Sequence, residues 1–180
     1  MPRILFLYHT IEGQTALIAE RMTRTLRNQG HDIDLVRADN MQKDIDPTAY
    51  DGVMVAASIH YERHPRYLRA LIRKHRDSIA ERPSAFFSVS LSAGGPNPKL
   101  KEARRNMDRF LRQTRWKPQL ACTIPGALKY SMYGPIKRRV MVLFVGLVGG
   151  ETDTSRDYEY TDWNAVERLA GEFAQLLKSA

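Results

Sequence analysis

The sequence predicts an α/β fold: a doubly wound, five-stranded parallel sheet with helices on both faces. Two observations carry this expectation. Short apolar runs of strand length alternate with longer segments whose apolar residues recur at helical spacing. The chain has 180 residues, about the length of one domain, and no repeat, low-complexity segment or linker divides it. A single domain over 1–180 is therefore expected.

The elements follow in order. Residues 3–8 are continuously apolar after Arg3, as a strand buried on both faces would be. Residues 14–29 carry Ile18, Met22 and Leu26 four apart, and Gly30 supplies a helix C-cap. Ile33, Leu35 and Val36 mark a second strand. Asp51-Gly52 turns the chain into Val53-Met54-Val55-Ala56-Ala57, a short buried strand. A helix over about 65–80 sets Leu68, Leu71, Ile72 and Ile79 on one side. Residues 85–91 give a fourth strand, 98–115 a helix and 119–125 a fifth strand. A last helix over 162–178 carries Trp163, Val166, Leu169, Phe173 and Leu176. Residues 129–150 break the alternation as an insertion before that last helix.

Composition narrows the class. Apolar residues at 43% and charged residues at 27% are ordinary for a globular domain and argue against disorder. No stretch reaches the roughly 18 apolar residues of a spanning helix. The opening Met1-Pro2-Arg3 leads directly into the first strand and lacks a secretory leader's cleavage site. The single Cys122 excludes an internal disulfide framework. The expectation is a protein on the cytosolic side. Lys and Arg total 28 against 20 Asp and Glu, a formal charge of +8. That balance attracts nucleic acid, acidic lipid or an acidic small molecule. Nucleic acid is the weakest of these, because no zinc, helix-turn-helix or aromatic-interleaved basic platform accompanies the charge.

The turn after the first strand carries the main chemical signal: Tyr8-His9-Thr10-Ile11-Glu12-Gly13-Gln14-Thr15-Ala16. It leaves a buried strand and opens a helix, whose first amides and dipole favour an anion. Thr10 and Thr15 add hydroxyls, and Gly13 allows close backbone approach. There is no G-x-x-x-x-G-K-[ST] and no G-x-G-x-x-G. The loop suits a single terminal monophosphate; the alternative is a helix whose hydroxyls serve only its own backbone.

The run Tyr8-x-Thr10-x-x-Gly13-x-Thr15-x-x-x-Ala19 resembles the FMN-phosphate signature of flavodoxins. The resemblance extends through Ala56-Ala57-Ser58-Ile59-His60-Tyr61, Pro83 to Leu91, Pro125-Gly126-Ala127-Leu128-Lys129-Tyr130, Gly149-Gly150-Glu151-Thr152-Asp153-Thr154 and Tyr160-Thr161-Asp162-Trp163. Together these resemble the menaquinone-dependent protoporphyrinogen IX dehydrogenases, the flavodoxin-like protoporphyrinogen oxidases of haem synthesis. The resemblance implies a flavodoxin-like sheet of order 2-1-3-4-5 and FMN as cofactor. It implies oxidation of protoporphyrinogen IX to protoporphyrin IX, with menaquinone or another quinone as acceptor. The expected location is peripheral, on the cytoplasmic side of the inner (plasma) membrane. A generic flavodoxin-like quinone reductase or electron carrier is the alternative.

On this reading the cofactor lies beyond the carboxyl ends of three strands, at the point where strand order reverses. The expected cofactor-binding residues are Thr10, Ile11, Glu12, Gly13, Gln14 and Thr15, then Ser58, Ile59, His60 and Tyr61, then Ser88, Val89, Ser90, Leu91 and Ser92. Tyr61 is either a stacking ring or a half-exposed loop aromatic. His60 and His64 stand four apart without a third ligand, so no metal is expected. No catalytic base can be named. The +8 charge suggests a flavin that favours two-electron transfer at a higher potential than acidic flavodoxins allow.

Two basic features remain. Arg66, Arg69, Arg73 and Arg76 recur at helical spacing, and 99–117 holds eight Lys and Arg against Glu102 and Asp108. These are solvated helix faces, or recognise propionates or anionic lipid. In 129–150, Tyr130, Tyr133 and Lys137-Arg138-Arg139 lead into the apolar run Val140–Val148. Such a segment lies in a membrane surface, or it is a core helix or a contact in a homo-oligomer.

Overall fold

The computed structural model describes residues 1–40, 44–147 and 149–179. Val148, the end of the apolar run, lies outside the described residues. Five strands form one parallel sheet: β1 (Arg3–His9), β2 (Asp32–Arg37), β3 (Gly52–Ser58), β4 (Ser84–Ser90) and β5 (Leu120–Pro125). Their order is β2-β1-β3-β4-β5, as expected.

The apolar runs bury both faces because alternate side chains point to opposite sides. Ile4 and Phe6 of β1 pack with Met54, Phe87 and the helices α1 (Gln14–Asn28) and α6 (Trp163–Lys178). Leu5 and Leu7 pack on the other face with Val55, Phe86 and the helices α2 (Arg66–Lys74), α3 (Arg76–Ala80) and α4 (Leu100–Thr114). Gly30, at φ +87°, ends α1. Its amide donates to Arg27 O and that of His31 to Leu26 O, so the left-handed residue satisfies the last carbonyls.

The expected helix over 65–80 is broken at His75, where α2 ends and α3 begins. No glycine or proline marks the break. His75 Nε2 instead bonds Asp44 Oδ1 at 2.9 Å, and Lys74 pairs with the same carboxylate. The insertion is structured. Beyond β6 (Ala127–Leu128) and a helical turn at Tyr130–Met132 it forms α5 (Pro135–Leu147), and β6 pairs antiparallel with β7 (Tyr158–Glu159). Leu128, Tyr130, Tyr133 and Val145 make a small core of their own.

Strand register brings the chemistry together. His9 lies beside Ala57, Ser58 beside Val89, and Ser90 beside Pro125. Three loops therefore leave the sheet at one level. Between β1 and β3 the connections diverge to opposite sides, and a crevice opens there.

Candidate functional site

That crevice is a cleft of about 1280 Å³. A side pocket of about 390 Å³ shares Ile11, Ser58, His60, Tyr61, Arg63, His64 and Arg69 with it. The cleft exceeds the roughly 300–1,000 Å³ of a pocket for one drug-sized ligand.

One end is built on the loop before α1. Gly13 sits at the N-cap with φ +83°, and no side chain caps α1 among the described residues. The first-turn amides therefore face the cleft without an intrahelical partner. Thr10 Oγ1, Thr15 Oγ1, Ser58 Oγ and Ser90 Oγ are all buried without a partner among the described residues. Thr10 and Thr15 put two orphaned hydroxyls beside an uncapped helix start, with Ser58 and Ser90 at the ends of β3 and β4, and such groups are costly unless something polar meets them. An oxyanion group would satisfy hydroxyls and amides together.

Of the expected residues, Thr10, Ile11, Glu12, Gln14 and Thr15 line the cleft, as do Ser58, Ile59, His60 and Tyr61, and Val89, Ser90, Leu91 and Ser92. Gly13 lies behind this surface; a Cβ there would stand 3.9 Å from Lys129 Nζ. Ser88 lies one strand repeat deeper than Ser90 and outside the lining, where it is fully buried and bonds His64 Nε2 at 3.1 Å. Tyr61 stands at the rim, strongly exposed, with φ +48° and its ring edge-on to His60.

The loop is braced from three sides. Gln14 Nε2 donates to Thr161 Oγ1 at 2.9 Å, and the Thr161 hydroxyl donates to Pro125 O at 2.8 Å. The Tyr133 hydroxyl donates to Glu12 Oε2 at 2.8 Å and Lys137 Nζ to Glu12 Oε1 at 3.0 Å, so α5 closes over the cleft. Below the loop, the Tyr67 hydroxyl bonds His9 Nδ1. Burial lowers the His9 imidazole and pushes the Tyr67 phenol up to about 12. This pair is therefore neutral near pH 7, with tyrosine as donor.

Residues 5–155 match the flavodoxin domain family. Protoporphyrinogen IX dehydrogenase (quinone) of Escherichia coli strain K12 is 33% identical over 176 residues, spanning 97% of this chain and 96% of that protein. The protein of the same name from Leishmania major is 33% identical over 178 residues, 97% of this chain and 76% of its own length. The chain belongs to the protoporphyrinogen IX dehydrogenase (quinone) family, an oxidoreductase branch of the flavodoxin domain. Among solved structures, a short-chain flavodoxin associated with a bacterial microcompartment superposes with TM-score 0.61 at 11% identity, covering 100% of this chain and 99% of its own. Oxidised flavodoxin 1 from Bacillus cereus gives 0.59 at 13% identity, covering 96% and 97%. These two share the fold.

The segments that carry the family resemblance do structural work here. The Tyr130 hydroxyl donates to Glu151 O at 2.7 Å, and Tyr160 bonds the Glu151 carboxylate. Asp162 caps α6 by accepting from Ala165 N at 3.0 Å. Sequence reasoning missed the part of the cleft flanked by α2 and α4, lined by Arg63, Arg69, Asn106, Arg109, Phe110 and Gln113. Arg69 and the basic run 99–117 were visible as charge. Only the packing of α2 on α4 turns them toward one space.

Proposed function

We propose that this protein oxidises protoporphyrinogen IX to protoporphyrin IX for haem synthesis, with FMN held in the cleft and menaquinone or another quinone as acceptor. The observation that carries the reading is the pair of orphaned hydroxyls, Thr10 and Thr15, at the uncapped start of α1. Their donors fit the terminal phosphate of FMN, with no lysine or metal needed. The substrate is taken from the named relatives, which match along nearly the whole chain.

A bound FMN would supply the redox chemistry, accepting electron pairs from the porphyrinogen and passing them to the quinone. The protein binds, orients and shields. Thr10 and Thr15 hold the phosphate. Residues 89–92 offer backbone groups along one edge of the ring, and Ile11, Ile59 and Leu91 give apolar cover. Tyr133 and Lys137 pin Glu12, keeping α5 across the opening and water out of the cleft.

The same helix serves as the membrane contact. Ile136, Val140, Leu143 and Leu147 form an outward stripe, 58–87% exposed, and Ile136 and Val140 also line the cleft mouth. A surface-lying helix with neighbouring cations sits peripherally on an anionic leaflet. The cleft would then open where a lipid-soluble quinone resides. Among the described residues no helix is long and apolar enough to cross a membrane.

The test is anaerobic turnover of protoporphyrinogen IX by FMN-loaded protein with a menaquinone analogue. Porphyrin formation coupled to quinone reduction is expected. A protein that stays colourless with excess FMN, or that reduces quinones without consuming porphyrinogen, overturns the assignment.

A further inference from the structure

The part of the cleft flanked by α2 and α4 has its own chemistry. Arg63, from the loop after β3, Arg69 of α2 and Arg109 of α4 all line it. Hydrogen bonds hold them in relation to one another. Arg69 Nη1 donates to Gln113 Oε1 at 2.7 Å. Arg109 Nη1 donates to the carbonyl of Glu62, the neighbour of Arg63, at 3.2 Å. Arg109 and Gln113 stand four apart on one face of α4. The circuit leaves most guanidinium N–H groups of Arg69 and Arg109 free. None of the three forms an ion pair among the described residues.

The floor beside them is apolar with one buried acceptor, while Glu62 and Glu102 also line the cleft. Phe110 is buried against Phe86 and His64. Asn106 is only 3% exposed, and its Oδ1 has no partner among the described residues. Met141 and Val140 of α5 line the same cleft. Unpaired guanidiniums at the rim, an aromatic floor and a buried lone acceptor together describe a ligand. It carries carboxylates on one edge, an apolar body and an N–H donor near its centre.

We propose that this part of the cleft is the porphyrinogen subsite. Arg63, Arg69 and Arg109 take the propionate carboxylates, and Asn106 Oδ1 accepts from a pyrrole N–H. The inference rests on the activity proposed above and assigns which residues select its substrate. A quinone has neither carboxylate nor N–H, so these residues discriminate between the two substrates. Guanidinium forks suit carboxylates, and their number favours a diacid over its ester.

The test compares protoporphyrinogen IX with its dimethyl ester in FMN-loaded protein, using R69Q, R109Q and N106L. Arg69→Gln and Arg109→Gln should each raise KM for the diacid about tenfold, or about 1.4 kcal/mol, and leave KM for the ester unchanged. Asn106→Leu should weaken diacid and ester alike. Quinone KM and flavin content should not move in any variant. Equal KM for diacid and ester in the unmutated protein, or unchanged diacid preference in both arginine variants, overturns the proposal. Fluorescence titration with protoporphyrin IX separates the two readings. Arginine-dependent diacid binding without turnover keeps this subsite and sinks the proposed activity; turnover with arginine-independent binding does the reverse.

Discussion

Glu12 and Tyr133 stand 121 positions apart, and the Tyr133 hydroxyl donates to Glu12 Oε2 across 2.8 Å. Lys137 Nζ lies 4.1 Å above the Tyr133 ring centroid and reaches the other Glu12 oxygen. Burial and the neighbouring carboxylate raise the Tyr133 phenol well above its ordinary range, so it remains a donor throughout neutral pH. This contact fastens the insertion to the loop that starts α1.

Tyr133→Phe should therefore loosen α5 without unfolding the sheet. Removing one donor to a partly buried carboxylate costs about 1–3 kcal/mol, confined to the small core of Leu128, Tyr130 and Val145. Amide exchange over 135–147 should quicken while that of β1 and β4 does not. Uniform protection across both regions would show that Glu12 and Tyr133 do not hold the insertion.

How much of this was legible varies with the kind of signal. The sheet was legible because β1, β3 and β4 are buried on both faces, and two-sided burial writes itself as unbroken apolar runs. The α1 loop was legible because one local segment supplies the turn, the hydroxyls and the helix start. The break at His75 was not, since no glycine or proline marks it and the partner of its imidazole, Asp44, lies some thirty positions away. Nor was the role of Ser88. In a strand buried on both faces, the pattern does not say how deep a small polar residue lies below the ligand surface, and Ser88 sits under the cleft lining, bonded to His64. The convergence of Arg69 and Arg109 belongs to the packing of α2 against α4, which a helical charge pattern leaves open.

Thr15→Val should separate cofactor affinity from folding. The Thr15 hydroxyl is buried and unpartnered in the chain itself, so replacing it with a methyl of similar shape should leave the FMN-free protein as stable or slightly more so. FMN affinity should fall about tenfold, or about 1.4 kcal/mol. Isothermal titration with FMN and thermal unfolding of the FMN-free protein check the two halves. Unchanged affinity would take Thr15 out of the phosphate site.

Acid should weaken the fold through His64. Its ring packs 4.9 Å from Phe110 and 5.3 Å from Phe86, centroid to centroid, and burial pushes its pKa down from 6.5 to about 3. Between these values the unfolded chain holds a proton that the folded chain refuses. Stability is fully present above 6.5 and falls as pH drops through the window. From pH 6.5 to 5 the loss attributable to this imidazole is on the order of 1–2 kcal/mol. His64→Gln keeps a partner for Ser88 and removes the titration. Urea unfolding at pH 7, 6 and 5 should show a flatter profile for the variant. Parallel profiles would mean that His64 does not govern the acid limb.

The exposed stripe on α5 yields the last prediction. The apolar residues 140–147, wound into α5, point Met141 and Val145 inward and Leu143 and Leu147 outward, so the outer pair contributes little to the fold. Leu143→Glu with Leu147→Glu should leave the melting temperature and FMN content unchanged. Binding to vesicles should suffer, because each leucine buried in lipid contributes up to about 1.5–3 kcal/mol and the new carboxylates meet anionic headgroups. Co-sedimentation with phosphatidylglycerol-containing vesicles should fall at least tenfold, and turnover of a long-chain quinone in those vesicles should fall with it. A water-soluble quinone analogue should be reduced as before. If the double variant sediments like the unmutated protein, the stripe is not the membrane contact, and the cleft receives its quinone by another face.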